Sequence, residues 1–347
     1  MEVKKYDISL NDSFAIKGIA LILLLIHHLF YVQHGYYADF DIAGYGVVQQ
    51  IGIASKACVA VFVFLSGYGL AKKYQNRDIS LWNFYVARFT KLMMNYWLIW
   101  LLFVPVGILF WGRTPDVVYG NHVFAKGLID FFGMANSFGF YGYNPTWWFM
   151  SCIILLYVLF PFLNSLCRRQ WLMVLLVSII VTFLPLYVFN PIKFYLIAFV
   201  AGIVFLQKDL FAKLSKSLLM IRVKATLEVK YLVLTIMIFF ARFFVPYPLL
   251  WDSVIAIVLS GCYIQLSSEN IIHKVLVFVG KHSMNIFLFH TFIYYYYFHD
   301  MIYWSGNPFF IFLTLFVVCL VVSWLIEWLK TVVRFQYLCQ NIILKIQ

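Results

Sequence analysis

Long apolar runs recur along the whole chain, and they limit its possible folds more than any other feature. The 347-residue sequence is 64% hydrophobic and 12% charged, whereas soluble domains carry about 25% charged residues. Ten runs reach or approach the ~20 residues that a helix needs to cross about 30 Å of hydrocarbon. We therefore predict an all-α, polytopic protein of the cell membrane with about ten transmembrane helices. The predicted spans are 14–33, 53–71, 92–111, 147–163, 171–189, 192–207, 230–245, 249–266, 280–298 and 308–329.

Three segments outside or at the ends of these spans have their own interpretation. The stretch 72–91 is predicted to be an amphipathic helix that leads into the third span. The apolar segment 122–140 is interrupted by charges and three glycines, so we place it at the membrane interface or in a re-entrant element. The run Tyr294–Tyr297 is typical of a belt of interfacial tyrosines.

The distribution of basic residues predicts the orientation of the chain. With a cytoplasmic N-terminus, all but five of the 26 lysines and arginines fall on the cytoplasmic side, as the positive-inside rule requires. We therefore expect both termini in the cytoplasm, with a single membrane domain over 1–347 and a cytoplasmic tail at about 330–347. The net charge of +12 then reflects topology, so no nucleic-acid partner is expected. The five exceptions are Lys56, Arg113, Lys126, Lys193 and Arg242.

Several kinds of site are not indicated by the sequence. The six cysteines lie in predicted spans or on the cytoplasmic side without a Cys-x-x-Cys pair, so we expect neither a disulfide nor a metal site. No phosphate-binding loop or dinucleotide-binding motif occurs, and no permanently bound cofactor is expected. Acidic residues in the spans are few, with Asp252 and Glu327 near the ends, which argues against a proton-coupled transporter.

Lys17 and His28 stand in the first apolar run, eleven residues apart. On a helix this spacing leaves their side chains about 20° apart on one face and about 16 Å apart along the axis. Lys17 is then expected near one membrane surface and His28 near the midplane. Ionisable side chains at such depth usually face a protein interior or a wet cavity. The alternative for His28 is a structural hydrogen bond to a neighbouring helix. His27 is rotated by about 100° and is interpreted as a packing residue.

Arg88 and Lys91 form a second basic constellation before the third span. At i and i+3 they project from one helical face, where two like charges are stabilised by an anion between them. A phosphate suits this pair, because the guanidinium group binds phosphate through two parallel hydrogen bonds. The alternative is an ordinary pair in contact with lipid headgroups.

Aromatic residues mark the outer start of the fourth predicted span. Trp147 and Trp148, with Tyr143 just before them, are candidates for a platform that binds a sugar or a lipid headgroup. Their alternative role is in the aromatic belt of the membrane interface.

The ninth predicted span carries two more polar groups. His290 lies about 15 Å along this helix from its cytoplasmic end, at a depth similar to that of His28. Two histidines at one depth could flank one cavity, although a structural hydrogen bond explains His290 as well. Asn285 also needs a polar partner within the membrane.

At these residues the chain resembles the acyltransferase family 3 of integral membrane acyltransferases. Lys17 and His28 reproduce the family's spacing of a basic residue and a histidine, with lysine in place of the usual arginine. Arg88 and Lys91 resemble the basic pair that follows the second span, again with one lysine for arginine. Three further segments resemble family motifs, namely FVFLSGYGL, TWWFMSCIILLYVLFP and GKHSMNIFLFH.

The resemblance implies a ten-helix membrane domain that takes an acyl group, mostly acetyl, from cytoplasmic acyl-coenzyme A. The acceptor is expected to be a hydroxyl of an extracytoplasmic or lipid-linked glycan. The alternatives are a transporter or flippase of a lipid-linked glycan, and a catalytically silent membrane sensor of the same fold.

Each candidate residue has an expected role in acyl transfer. His28 acts as general base or carries the acyl group transiently. The phosphates of the donor are expected to bind to Lys17, Arg88 and Lys91. The orientation of His28 or stabilisation of the oxyanion is expected from His290 and Asn285. The acceptor is expected to bind to Trp147, Trp148 and Tyr143.

Overall fold

The chain folds into a helical bundle, seen in a computed structural model that describes residues 6–346 except 33, 43, 76, 186, 221–225 and 246. The helices of the first half are α1 (Leu10–Phe30), α2 (Val47–Ala54), α3 (Cys58–Lys73), α4 (Leu81–Trp111), α5 (Pro115–Tyr119), α6 (Val123–Phe131) and α7 (Trp148–Phe183). Those of the second half are α8 (Leu196–Gln207), α9 (Leu210–Met220), α10 (Leu227–Ala241), α11 (Pro248–Leu266), α12 (Ile271–Lys281), α13 (Ser283–Thr291), α14 (His299–Tyr303), α15 (Pro308–Val332) and α16 (Phe335–Ile346).

Shorter elements connect the helices. A π-helical turn, Phe292–Tyr297, continues α13. Two strands of two residues each, β1 (Asp41–Ile42) and β2 (Tyr45–Gly46), pair antiparallel. Single 3-10 turns occupy Ser55–Ala57, Ala135–Phe138, Pro145–Trp147, Asn190–Ile192 and Arg242–Phe244. Four basic residues assigned to the cytoplasmic side, Lys4, Lys5, Arg222 and Lys224, lie outside the described residues.

The predicted all-α polytopic membrane architecture is confirmed. Six described helices are long and apolar enough to cross a membrane, or seven if α12 and the bent helix after it form one span. The count of ten stays a prediction, because α8 and α10 have only 12 and 15 residues. The fourth and fifth predicted spans merge into α7, which is kinked where Gln170 leaves helical backbone angles.

Helix α1 begins earlier than the sequence predicted. Ser9 and Asp12 form a reciprocal capping box at its N-terminus, which satisfies amide groups that the first turn leaves free. Because the helix begins at Leu10 and ends at Phe30, His28 falls in its last turn. This residue therefore lies near the C-terminal end of the helix, and its expected depth near the membrane midplane stays a prediction.

Helix α12 crosses α1 closely before the chain bends into α13. A side chain on Gly280 would overlap the backbone carbonyl of Phe14, and one on Gly18 would overlap that of Leu276. The axis then turns by 56° at His282, whose Nδ1 lies 2.8 Å from the hydroxyl of Ser323 on α15. This bend directs α13 towards the C-terminal end of α1.

Helix α4 extends the third predicted span towards its basic end. It runs without interruption from Leu81, so the predicted helix leading into the span is confirmed from that residue onward. Arg88 and Lys91 thus stand on the same rigid element as the span itself. The segment 122–140 contains only α6 and a 3-10 turn, in line with its exclusion from the predicted spans.

Candidate active site

The last turn of α1 and the helix α13 bring two histidines together. The ring centroids of His28 and His290 lie 4.8 Å apart, as their similar predicted depth suggested. The hydroxyl of Tyr294, four residues after His290, lies 3.4 Å from Nδ1 of His28. The site therefore holds two imidazoles and a phenol within contact of one another.

The backbone fixes the proton on one nitrogen of His290. Its Nδ1 lies 2.9 Å from the carbonyl oxygen of Ile286 and 3.0 Å from that of Phe287. A carbonyl oxygen only accepts hydrogen bonds, so neutral His290 carries its proton on Nδ1 and a free lone pair on Nε2. Nε2 is buried and has no hydrogen-bond partner among the described residues. This nitrogen is available to accept a proton or a hydrogen bond.

Neighbouring contacts hold the last turn of α1 in place. Nδ1 of His27 donates to the carbonyl of Gly52 over 2.8 Å, which agrees with the packing role predicted for this residue. The hydroxyl of Tyr37 donates to Phe30 O over 2.9 Å, and that of Tyr303 donates to Leu29 O over 3.1 Å. These bonds satisfy carbonyls that a helix end leaves free and so fix the orientation of His28.

A cavity of about 140 Å³, here called the inner cavity, begins at Lys17. Apart from this lysine and two serines, the lining is mostly apolar and includes Phe62, Phe149 and Phe287. The ring of Phe287 lies 6.2 Å from that of His290. One aromatic side chain therefore separates the inner cavity from the histidine pair.

Further basic residues lie near Lys17, the one cation that lines the inner cavity. Lys17 lies within electrostatic range of Arg88, and Lys73 lies within range of both Arg88 and Lys91. None of these four cations forms an ion pair with another described residue. Lys91 also lines a separate cavity of about 710 Å³ between α4, α15 and α16. The site thus offers several free positive charges to an anion.

A second cavity, here called the outer cavity, opens on the other side of the histidine pair. It has a volume of about 320 Å³ and is lined by His28, Tyr31, His34, Tyr36, Tyr294, Tyr295, His299 and Tyr303, among others. Tyr31, Tyr36 and Tyr295 are 44%, 49% and 57% exposed. Rings of this kind offer both a flat apolar face and a hydroxyl, a combination that suits a sugar.

The structure does not bring the three predicted acceptor residues to the outer cavity. Trp147 is buried, and its indole N–H donates to Leu288 O over 2.8 Å. Trp148 stacks on Tyr195 with ring centroids 5.5 Å apart. Tyr143 is buried, and its hydroxyl donates to Arg113 O over 2.7 Å. Because packing against neighbouring helices uses these side chains, their contacts position α7 and α13.

Asn285 also lies apart from His28. Its amide nitrogen donates to Ser323 and Glu327 over 3.1 and 2.8 Å, and its oxygen accepts from Lys330 over 2.8 Å. Five residues on a helix rotate a side chain by about 140° relative to His290. The expected contact of Asn285 with His28 is therefore absent, and the network joins α13 to α15.

Sequence reasoning missed Tyr294 beside the histidines and Arg113 at a neighbouring cavity. Tyr294 was interpreted as part of an interfacial belt, but it is buried and contacts His28. Its i+4 spacing from His290 was an available signal. Arg113, one of the five exceptions to the charge asymmetry, stands beside a further cavity on this side of the protein.

Comparison with known proteins assigns the family. A model of the acyltransferase 3 family, described as an acyltransferase domain, matches residues 12–328. No curated protein and no solved structure matches the chain. The matched range contains both cavities and both histidines of the candidate site. The chain therefore belongs to the acyltransferase 3 family and is a multi-pass membrane acyltransferase.

Proposed function

We propose that the protein transfers an acetyl group from cytoplasmic acetyl-coenzyme A to a hydroxyl of an extracytoplasmic or lipid-linked glycan. The observation that carries this proposal is the position of the His28–His290 pair between two cavities of different character. The inner cavity has mostly apolar walls and one lining cation, Lys17, with Arg88 within electrostatic range of it. The outer cavity is lined by tyrosines and histidines.

The basic residues suit the donor. The phosphates of coenzyme A bind to Lys17, Arg88 and Lys91. Phosphate is negatively charged and accepts strong hydrogen bonds, so it suits cationic donors. The thioester then extends along the apolar inner cavity towards Phe287. Acetyl is proposed as the acyl group because the resemblance to the family predicted it.

The histidines suit the chemistry of acyl transfer. His28 accepts the proton of the acceptor hydroxyl as its oxygen attacks the thioester carbonyl carbon. The new carbon–oxygen bond forms as the carbon–sulfur bond breaks, and the proton passes from the imidazole to the departing thiolate. His290 and Tyr294 hold His28 in position, and the hydroxyl of Tyr294 is a hydrogen-bond donor near the developing oxyanion.

The outer cavity supports a sugar as acceptor. Tyr31, Tyr36 and Tyr295 take the role that Trp147, Trp148 and Tyr143 were expected to have, because their rings are exposed to this cavity. Sugars stack on tyrosine rings and exchange hydrogen bonds with their hydroxyls.

The test is turnover of radiolabelled acetyl-coenzyme A by the purified full-length protein in liposomes. Replacing His28→Asn removes the titratable group and keeps a polar side chain of similar size. We expect the rate of thioester cleavage to fall by roughly 10² to 10⁴. His122→Asn is the matched control, because His122 is an exposed loop residue with a left-handed backbone that asparagine tolerates.

Each outcome separates the candidate functions. Unchanged turnover in His28→Asn would exclude His28 as the general base. Donor binding without turnover in the wild type would favour the silent sensor. A wild type that moves a lipid-linked glycan without any donor would favour the transporter.

A further inference from the structure

Arg113 is a cation held in place without a charged partner. Its Nη2 donates to Tyr143 O over 2.7 Å. The guanidinium carbon lies 3.4 Å from the ring centroid of Tyr296 and 4.9 Å from that of Tyr143. Nε is buried without a hydrogen-bond partner, and no ion pair joins Arg113 to another of the described residues.

The aromatic rings fix this guanidinium but leave its charge uncompensated. Stacking on tyrosine orients the plane of the group. The Tyr143 carbonyl accepts one N–H, and the hydroxyls of Tyr143 and Tyr296 lie within hydrogen-bond range of the group, but Nε stays unpartnered. A stacked arginine with free donors is arranged to bind an oxyanion through two parallel hydrogen bonds.

Arg113 faces a cavity of its own, here called the arginine cavity. The cavity has a volume of about 520 Å³, and Tyr31, Tyr141, Pro145 and Tyr296 line it with Arg113. This volume is large enough for a ligand group of several atoms.

Tyr31 connects the arginine cavity to the histidine pair. It lines both the arginine cavity and the outer cavity. Its ring centroid lies 6.4 Å from that of His28. A ligand with an oxyanion beside Arg113 can therefore extend past one tyrosine ring and present a hydroxyl to His28.

We infer that Arg113 binds an oxyanion of the glycan acceptor, either a phosphate of its lipid carrier or a carboxylate of an acidic sugar. This assignment rests on the proposed function, because it names the class of acceptor for the same site. It makes Arg113 a specificity residue that anchors the acceptor while His28 acts on its hydroxyl.

The test is calorimetric binding to the full-length protein in phosphatidylcholine nanodiscs, which carry no net lipid charge. The probes are geranyl diphosphate, inorganic diphosphate, glucuronate and uncharged glucose. We expect Arg113→Gln to weaken binding of the anionic probes by roughly tenfold to a hundredfold. Arg113→Lys should recover part of the loss, because lysine restores the charge without the planar fork. Lys193→Gln, which removes one positive charge elsewhere on the predicted outer side, should bind like the wild type.

The outcomes identify the source of the oxyanion. Preference for the diphosphates supports a lipid-linked acceptor, and preference for glucuronate supports an acidic sugar. Equal anion binding by the wild type and Arg113→Gln would overturn the inference, as would a wild type that binds none of the anionic probes. Binding needs no turnover, so this result is independent of the acyl-transfer test. His28→Asn should retain the binding.

Discussion

At the scale of single residues, the proposed chemistry depends on imidazoles in different surroundings. His290 has its proton fixed on Nδ1 by backbone carbonyls, whereas His28 contacts a tyrosine hydroxyl and the outer cavity. The sequence predicted that both residues lie at one depth. It did not predict Tyr294 beside them, because hydrophobic periodicity does not show which face of a polytopic helix is turned inward.

Asp130 predicts a pH dependence of stability. Its Oδ2 accepts hydrogen bonds from the amide of Tyr143 and the hydroxyl of Tyr119 over 2.6 and 2.8 Å. Burial nevertheless raises the pKa of Asp130 from 3.8 to about 6. The folded protein therefore binds this proton more tightly than the unfolded chain does. The resulting stabilisation is lost as the pH rises through about 6 and is fully present below 3.8.

The measurement is the thermal unfolding temperature of the detergent-solubilised protein between about pH 7 and pH 4. Relative to Asp130→Asn, the wild type should gain stability as the pH falls. Asp116→Asn, which removes an exposed carboxylate from the same loop region, should follow the wild-type profile. Parallel profiles for the wild type and Asp130→Asn would contradict this assignment.

At the scale of elements, small residues decide how closely the helices approach. The segment FVFLSGYGL, which resembles a family motif, places Ser66, Gly67 and Gly69 close together on α3. The structure distinguishes the two glycines, because a side chain on Gly67 would overlap the backbone carbonyl of Phe199 on α8, whereas Gly69 has open space. Sequence alone does not make this distinction, because both residues are glycines in the same helix and the sequence does not show which of them faces α8.

This difference gives a paired prediction for α3. Gly67→Ala should lower the free energy of unfolding by about 1–3 kcal/mol, because the neighbouring backbone has to move. Gly69→Ala should leave it unchanged or raise it by up to about 1 kcal/mol, since alanine is the better helix former. Denaturant titration of both variants in one detergent provides the comparison. Equal effects at the two positions would exclude close packing of α3 against α8.

The bend after α12 is another feature that periodicity did not reveal. The sequence predicted one span over 280–298, whereas the structure has α12 from Ile271 and a turn of 56° before α13. The missing side chain of Gly280 allows α12 to lie against the backbone of α1. This contact depends on both helices together, so a pattern within one segment does not predict it.

At the scale of the whole molecule, composition and charge were sufficient to predict a polytopic helical membrane protein. The number of spans was harder to predict, because α8 and α10 are shorter than the bilayer core and α7 contains two predicted spans in one kinked helix. The arrangement of two cavities around one histidine pair comes from tertiary packing and carries the central claim. If acyl transfer occurs at this site, the donor should be consumed on one side of the membrane and the acylated product should appear on the other.

The most direct test of this claim is the sidedness of transfer in sealed proteoliposomes. Radiolabelled acetyl-coenzyme A is supplied only outside, where molecules with their Lys17 end outward can use it, and a glycan with free hydroxyls is enclosed in the lumen as acceptor. An impermeant thiol reagent measures free coenzyme A outside, and separated vesicles give the label in the lumen. We predict that lumenal label and external thiol rise together in the wild type and that both are abolished in His28→Asn. Label released only on the donor side, or transfer at the wild-type rate in His28→Asn, would contradict the account.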